Sequence, residues 1–126
     1  KDDKAPFLGN KDGDITIVEF FDFNCGYCKK VLPELQEVVK SDPNLKVVFR
    51  DYPILSDSSK TASKWALAAH KQDKYFPFHA ALMDPDVSSV SEMAEAAHLP
   101  AHTLERICEF LDCQPCDILK YVKEAN

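Results

Sequence analysis

Apolar and polar residues change their period twice in the first half of the chain. From Asp14 to Phe23, the residues Ile15, Ile17, Val18, Phe20, Phe21 and Phe23 place β-branched and aromatic side chains on both faces of an extended segment. That is the pattern of a strand at the centre of a sheet, buried on both sides. Val31, Leu32, Leu35, Val38 and Val39 then recur at helical spacing, so an amphipathic helix is expected from Gly26 to about Lys40. Pro33 inside it predicts a bend or a loosened hydrogen-bond ladder. Ser41-Asp42-Pro43-Asn44 stops the helix with turn residues, and Leu45 to Tyr52 reads as a second strand. Strand, helix and strand in one short stretch form a βαβ unit, whose crossover should be right-handed.

Residues 1–13 ahead of this unit read as an irregular lead-in, with turn chemistry at Gly9-Asn10 and Asp12-Gly13. After Pro53 the pattern is helical. Ser58 or Ser59 is suited to cap a helix through about Lys71, with Trp65 and several alanines on its packed side. Tyr75 to Met83 forms a second helix with Pro77 in its first turn. Further helices are expected from Ser89 or Ser91 to Ala97, from Ala101 to Leu111 and from Asp117 to Ala125. The chain thus divides into the lead-in, a βαβ unit over 14–56 and a helical subdomain over 57–126. The class is α/β, and no later run reads as a strand.

Composition narrows the function. The 126 residues suffice for one modest domain, and 45% hydrophobic residues can fill its core. Fifteen basic against twenty-one acidic residues leave a net charge of −6, which argues against nucleic acid or an anionic membrane as the main partner. No apolar run approaches the roughly 20 residues of a membrane span. Lys1-Asp2-Asp3-Lys4 reads as the start of a mature chain rather than a signal peptide. The five cysteines Cys25, Cys28, Cys108, Cys113 and Cys116 are many for a reducing compartment, and their odd number leaves one thiol over within a single chain.

Two of them stand where chemistry is expected. Cys25-Gly26-Tyr27-Cys28 lies where the first strand feeds the first helix. Free backbone N–H groups and the positive end of the helix dipole converge at such a junction and stabilise a thiolate, the nucleophile of disulfide exchange. The dipole supplies about 0.3–1 kcal/mol, at most about 2. One pKa unit corresponds to about 1.36 kcal/mol. The dipole therefore accounts for about one unit, and N–H donors with Lys29 and Lys30 must supply any more. The Gly26-Tyr27 spacer lets the second sulfur reach the first within one turn. Cys25 is then the partner that meets a substrate, and Cys28 the one that resolves the mixed disulfide.

Competing readings exist for each feature. Cys25 and Cys28 could form a structural disulfide. Cys113-Gln114-Pro115-Cys116 is a second CxxC, and two such pairs can bind zinc, although 84 residues separate them. Cys113 and Cys116 could equally form a structural disulfide of their own, while Cys108 sits on an apolar helix as a buried thiol. Glu19 shares the strand face of Ile15, Ile17, Phe21 and Phe23. Buried there, its carboxylate would have a raised pKa and could accept the Cys28 proton; on an edge it would be an ordinary exposed glutamate. His70, His79, His98 and His102 have no metal-ligand spacing with the cysteines and read as surface or boundary residues, and Trp65 and the Tyr75–Phe78 aromatics as core. No cofactor or metal is implied.

The segment Val18-Glu19-Phe20-Phe21-Asp22-Phe23-Asn24-Cys25-Gly26-Tyr27-Cys28-Lys29 resembles the active-site region of the DsbA-like thiol–disulfide oxidoreductases, in the branch that holds the ScsC proteins. Pro33, Phe49-Arg50-Asp51-Tyr52-Pro53-Ile54-Leu55, Lys74-Tyr75 and Phe78-His79-Ala80-Ala81-Leu82-Met83 extend the likeness, which runs from about Gly9 to Asn126. The resemblance implies a thioredoxin-like fold with an inserted helical subdomain, a periplasmic setting, and exchange of disulfides with protein thiols and with a redox partner protein, soluble or membrane-bound. It implies Cys25 as nucleophile, Cys28 as resolving cysteine and Glu19 as the buried acid, with Gly26, Tyr27 and Lys29 tuning the thiolate.

One part of the family pattern has no counterpart. A cis-proline segment, two more strands and a closing helix normally follow the helical subdomain, and none of the eight prolines here sits in such a segment. The C-terminal strands of the fold are therefore expected to be missing, and the first strand to keep an open edge. A fragment, a truncated gene, or a homo-oligomer or swapped dimer that completes the sheet would each account for this. Two other functions follow as alternatives: a redox-incompetent truncated domain that serves in binding or assembly, and a zinc-binding structural domain.

Overall fold

The computed structural model describes residues 4–85 apart from Gln72. The helices expected from Ser89 onward, and Cys108, Cys113, Cys116, His98 and His102, lie outside the described residues. Six elements follow in order: β1 (Phe7–Gly9), β2 (Ile15–Phe21), α1 (Gly26–Ser41), β3 (Leu45–Asp51), α2 (Asp57–His70) and α3 (Tyr75–Met83).

The three strands form a mixed sheet in the order β1-β3-β2. β2 and β3 run parallel, with Ile15 opposite Leu45 and Phe21 opposite Asp51, as the βαβ reading requires. β1 pairs antiparallel with the other side of β3, Phe7 opposite Val48. Two expectations are corrected here. The lead-in is not wholly irregular, because three of its residues form β1, too short a run to show a period. Among the described residues the first long strand is not the central one. β1 takes the far side of β3, so β3 is central and alternates fully buried Leu45, Val47 and Phe49 with half-buried neighbours. On β2, Ile15, Ile17, Val18 and Phe20 are all exposed, and among the described residues its outer edge has no partner strand. A strand rich in β-branched and aromatic residues does not reveal from its own sequence how many neighbours it has.

Gly9 makes the turn after β1 possible. Its φ of +94° disfavours any residue with a side chain, and a Cβ there would collide with the Leu45 carbonyl oxygen. Helix α1 is continuous through Pro33. The stripe it buries differs from the expected one. Cys28, Leu32, Leu35 and Val39 pack on the core, whereas Val31 and Val38 are exposed. Cys28 is therefore the first residue of the packed face. Helix α2 begins two or three residues earlier than expected: Ser56, not Ser58 or Ser59, is its N-cap. It buries Ser59, Ala62, Ser63, Trp65, Ala66 and Ala69, a face narrow enough for close approach.

One hydrophobic cluster joins the two regions. Phe21, Phe23, Leu32, Val47 and Phe49 from the βαβ unit pack with Ala62, Trp65, Ala66, Tyr75, Phe78 and Leu82 from the helices. His79 lies at its centre, 1% exposed, with the rings of Phe21 and Phe49 each 4.6 Å away and Phe76 stacked at 6.3 Å. This corrects its reading as a surface histidine. An imidazole has apolar faces, and its Nδ1 finds the Tyr75 hydroxyl at 3.3 Å. Burial pushes its pKa from 6.5 down to about 3, so it stays neutral at neutral pH. Trp65, Tyr75 and Phe78 are core residues, as expected.

Candidate active site

The carboxyl ends of β2 and β3 and the first turns of α1 and α2 meet at one corner of the molecule. After Phe21 the chain leaves the sheet through a tight turn, in which Cys25 N–H donates to the Asp22 carbonyl at 3.0 Å. Cys25 is the N-cap of α1, in extended conformation (φ −81°, ψ 110°), and its sulfur accepts the Cys28 N–H at 3.4 Å. No acidic residue stands in the first turn of α1. The cap sulfur thus faces the free N–H groups and the positive helix end without a carboxylate from the same turn.

The two sulfurs have different surroundings. Both are half-exposed free thiols. The Cys28 thiol is pushed from 9.0 up to about 11, chiefly by burial, then by its hydrogen bond to Cys25 and the charges of Cys25 and Glu19; a backbone hydrogen bond from Asp22 pulls it back down. Glu19, on β2, is half-buried, with Oε2 enclosed and no hydrogen-bond partner among the described residues, and its charge acts on Cys28. Burial lifts its carboxyl from 4.5 to about 7. Glu19 is thus neither fully buried nor an ordinary exposed edge residue.

The remaining expected residues are placed as follows. Gly26 opens α1, and nothing lies within 4 Å of where its Cβ would be. Tyr27 is 80% exposed, with the Lys30 ammonium 5.5 Å from its ring centre. Lys29 is half-buried; burial lowers its pKa, and the charge of Asp84, just beyond α3, opposes that. Among the described residues, no group of three or more His, Cys, Asp or Glu side chains is placed to hold a metal ion, and Cys113 and Cys116 lie outside them.

Sequence reasoning missed two parts of the site. One is a shallow cavity of about 170 Å³ lined by Phe20, Phe21, Asp22, Cys25, Cys28, Tyr52, Ile54 and Leu55. The other is the polar knot beside it, where Asp22 and Asn24 bind the start of α2. Asn24 Nδ2 lies 2.8–2.9 Å from the hydroxyls of Ser56, Ser58 and Ser59. A signal was available: Asp22-Phe23-Asn24 closes an apolar strand with two turn-forming polar residues, and a serine-rich stretch follows the other strand.

The sequence model of the family described as Thioredoxin matches residues 1–124. The chain belongs to the thioredoxin family. Within the thioredoxin family it is of the DsbA/ScsC type, by its likeness to solved structures. A thioredoxin-like oxidoreductase from Silicibacter pomeroyi DSS-3 is 36% identical with a TM-score of 0.64, over 97% of this chain and 70% of that one. The thiol-disulfide exchange protein alpha-DsbA2 from Wolbachia pipientis is 27% identical with a TM-score of 0.76, over 98% and 61%. Proteus mirabilis ScsC in a transitional conformation is 25% identical with a TM-score of 0.69, over 98% and 56%. Curated relatives are matched over a smaller share of their length. The chain spans 33% of the probable disulfide bond formation protein D of Bacillus cereus (32% identity over 71 residues, 53% of this chain). It spans 13% of a Na(+)/H(+) antiporter of Salinispora arenicola (28% identity over 83 residues, 64% of this chain). The thioredoxin-like frame holds Cys25 and Cys28 close together at the start of α1.

Proposed function

We propose that the chain exchanges disulfides with protein substrates through Cys25 and Cys28, in the oxidising compartment of a bacterial cell envelope. The observation that carries this reading is the unequal pair at the start of α1: one sulfur caps the helix and opens into the cavity, the other packs on the core and feels the charge of Glu19. In the reductive direction, the Cys25 thiolate attacks one sulfur of a substrate disulfide. A Cys25–substrate mixed disulfide forms, and the other substrate sulfur leaves as thiolate. Cys28 gives its proton to the Glu19 carboxylate and attacks Cys25, releasing the second substrate thiolate. The substrate gains two electrons and the protein is left with the Cys25–Cys28 disulfide. Run backward, the same steps oxidise a substrate dithiol.

The causes of the raised Cys28 value suggest how the steps are ordered. Two of them, the hydrogen bond to Cys25 and the Cys25 charge, exist only while Cys25 is free. Once Cys25 is in a mixed disulfide they vanish, so Cys28 ionises more readily when its attack is due. Glu19, at about 7, is divided between acid and base forms near neutral pH, which suits a group that takes up and returns a proton.

The cavity beside Cys25 supports a protein substrate. Its apolar lining of Phe20, Tyr52, Ile54 and Leu55 suits an extended segment of an incompletely folded chain, whose side chains are still exposed. The division into a redox unit over 14–56 and a helical unit from 57 belongs to the same reading, as does association of copies through the outer edge of β2. Sedimentation as a clean monomer at micromolar concentration would count against that association. The exchange reading is tested by insulin reduction and by refolding of scrambled ribonuclease, each with Cys25→Ser. Both activities should fall to background in the variant; unchanged activity would overturn the reading.

A further inference from the structure

Asp22 takes no part in the exchange step, yet donors from three stretches of chain converge on it. The residue is 5% exposed. Its Oδ1 accepts the Asn24 N–H at 2.8 Å and the Ser59 hydroxyl at 2.7 Å. Its Oδ2 accepts the N–H groups of Ile54 and Leu55, both at 3.0 Å. The main chain of the same residue serves the cysteines. Its carbonyl accepts the Cys25 N–H at 3.0 Å, and its backbone hydrogen bond lowers the Cys28 thiol. Ile54 and Leu55 in turn line the cavity that Cys25 opens into. Side chain and main chain of one residue therefore connect the groove wall to the sulfurs.

The choice of aspartate fits this geometry. Four donors need an acceptor with two oxygens and lone pairs to spare, and only a carboxylate offers that in so small a side chain. An asparagine in its place would turn an NH2 group toward N–H donors, leaving buried donors without a partner at about 1–3 kcal/mol each by general experience.

We propose that Asp22 is a positioning residue: it locks the cysteine turn and the Ile54–Leu55 wall into one unit, so that substrate is held at a fixed place relative to the Cys25 sulfur. The proposal rests on the exchange reading above. Its rival is that Asp22 matters as a negative charge near the cysteines, and the two predict opposite signs. If Asp22 positions, Asp22→Asn slackens the turn, the N–H donors lose their aim at the sulfurs, and the reduced pair loses stabilisation. The equilibrium constant for reduction by glutathione should then fall about tenfold, equivalent to about 30 mV. KM for a cysteine-containing peptide with apolar flanks should rise about tenfold, with kcat changed less. If Asp22 acts as a charge, its neutralisation favours the thiolate, and the equilibrium constant rises instead.

The test measures both quantities for the native chain, Asp22→Asn and Ser59→Ala. The second variant keeps the carboxylate and removes one of its donors, and it should move both quantities the same way, about twofold. If Asp22→Asn does not fold, Ser59→Ala decides alone. A rise in the glutathione equilibrium constant, or native values of both quantities in the folded variants, overturns the proposal. Persistence of exchange in Cys25→Ser would instead overturn the reading it rests on, whatever Asp22 does.

Discussion

Helices α1 and α2 begin with the same device and put it to different uses. In α1 the Cys25 sulfur accepts the N–H of Cys28; in α2 the Ser56 hydroxyl accepts the N–H of Ser59, at 3.2 Å. The α2 cap is saturated. Its hydroxyl also meets Asn24, Ser58 and Ser59, and Asp57 occupies the positive helix end in the first turn. The α1 cap has a weak acceptor, no acidic neighbour in the first turn, and an open cavity on its outer side. A capping position fixes a side chain against several N–H donors. If the capping atom is oxygen and its neighbours satisfy it, the result is structural. If it is sulfur and part of its coordination is left open, the same donors serve a leaving and attacking atom.

Exchanging the caps tests the contrast most strongly. Cys25→Ser gives α1 the cap of α2. Alkylation of the 25–28 pair by iodoacetamide at pH 7 should slow by about tenfold or more, because burial still holds the Cys28 thiol up after the Cys25 hydrogen bond and charge are gone, while the urea midpoint stays level or rises, because serine is the better cap. A large loss of stability would show that the sulfur holds the helix as well as doing chemistry.

Glu19, whose charge acts on the second sulfur, is the next largest effect. Glu19→Gln should slow resolution of the mixed disulfide about tenfold and remove an inflection near pH 7 from the rate profile. Its effect on stability has a definite sign. The folded value lies above the usual 4.5, so the folded state holds the proton more tightly, and stability falls as pH rises from 4.5 through 7. The variant should lose that slope and gain about 1 kcal/mol over the native chain at pH 8, the full shift being discounted because solvent screens a half-exposed side chain. Urea unfolding at pH 5 and pH 8 measures it.

The converse transplant sharpens the comparison. Ser56→Cys in a chain that also carries Cys25→Ser and Cys28→Ser puts the lone described thiol at the α2 cap. Its alkylation rate at pH 7 should remain about tenfold below that of native Cys25, since Asp57 opposes a thiolate there. Equal rates would mean that the cap position alone makes the nucleophile. Ser56→Ala is the smallest change: about 1 kcal/mol of stability by urea unfolding, with thiol reactivity within about twofold of native.

How much of this was legible in sequence depended on how far each feature repeats along the chain. The βαβ unit, α3 and the strand–helix junction of Cys25 and Cys28 follow from periodicity and from residue types at a fixed spacing. β1 was invisible because three residues carry no period. The place of β3 at the centre depended on β1, so it was invisible too. The α1 stripe was misread because a cysteine was taken as chemistry, though Cys28 is also the first packed residue of the helix. His79 was misplaced because its environment is assembled from Phe21, Phe49 and Phe76, on three separate elements. The same applies to Asp22, whose partners lie 32 to 37 residues away, apart from Asn24. No local pattern announces partners at that range.

The open space around Gly26 has a consequence for how such a protein can change over generations. A Cβ there would meet nothing within 4 Å among the described residues, and Cys25 before it already has the extended backbone that even a proline at this first helical position requires. A small side chain at residue 26 therefore has room for its Cβ among the described residues, while it alters the covalent neighbour of the reactive sulfur. Selection could adjust the redox behaviour of the pair in single steps that leave the fold unharmed.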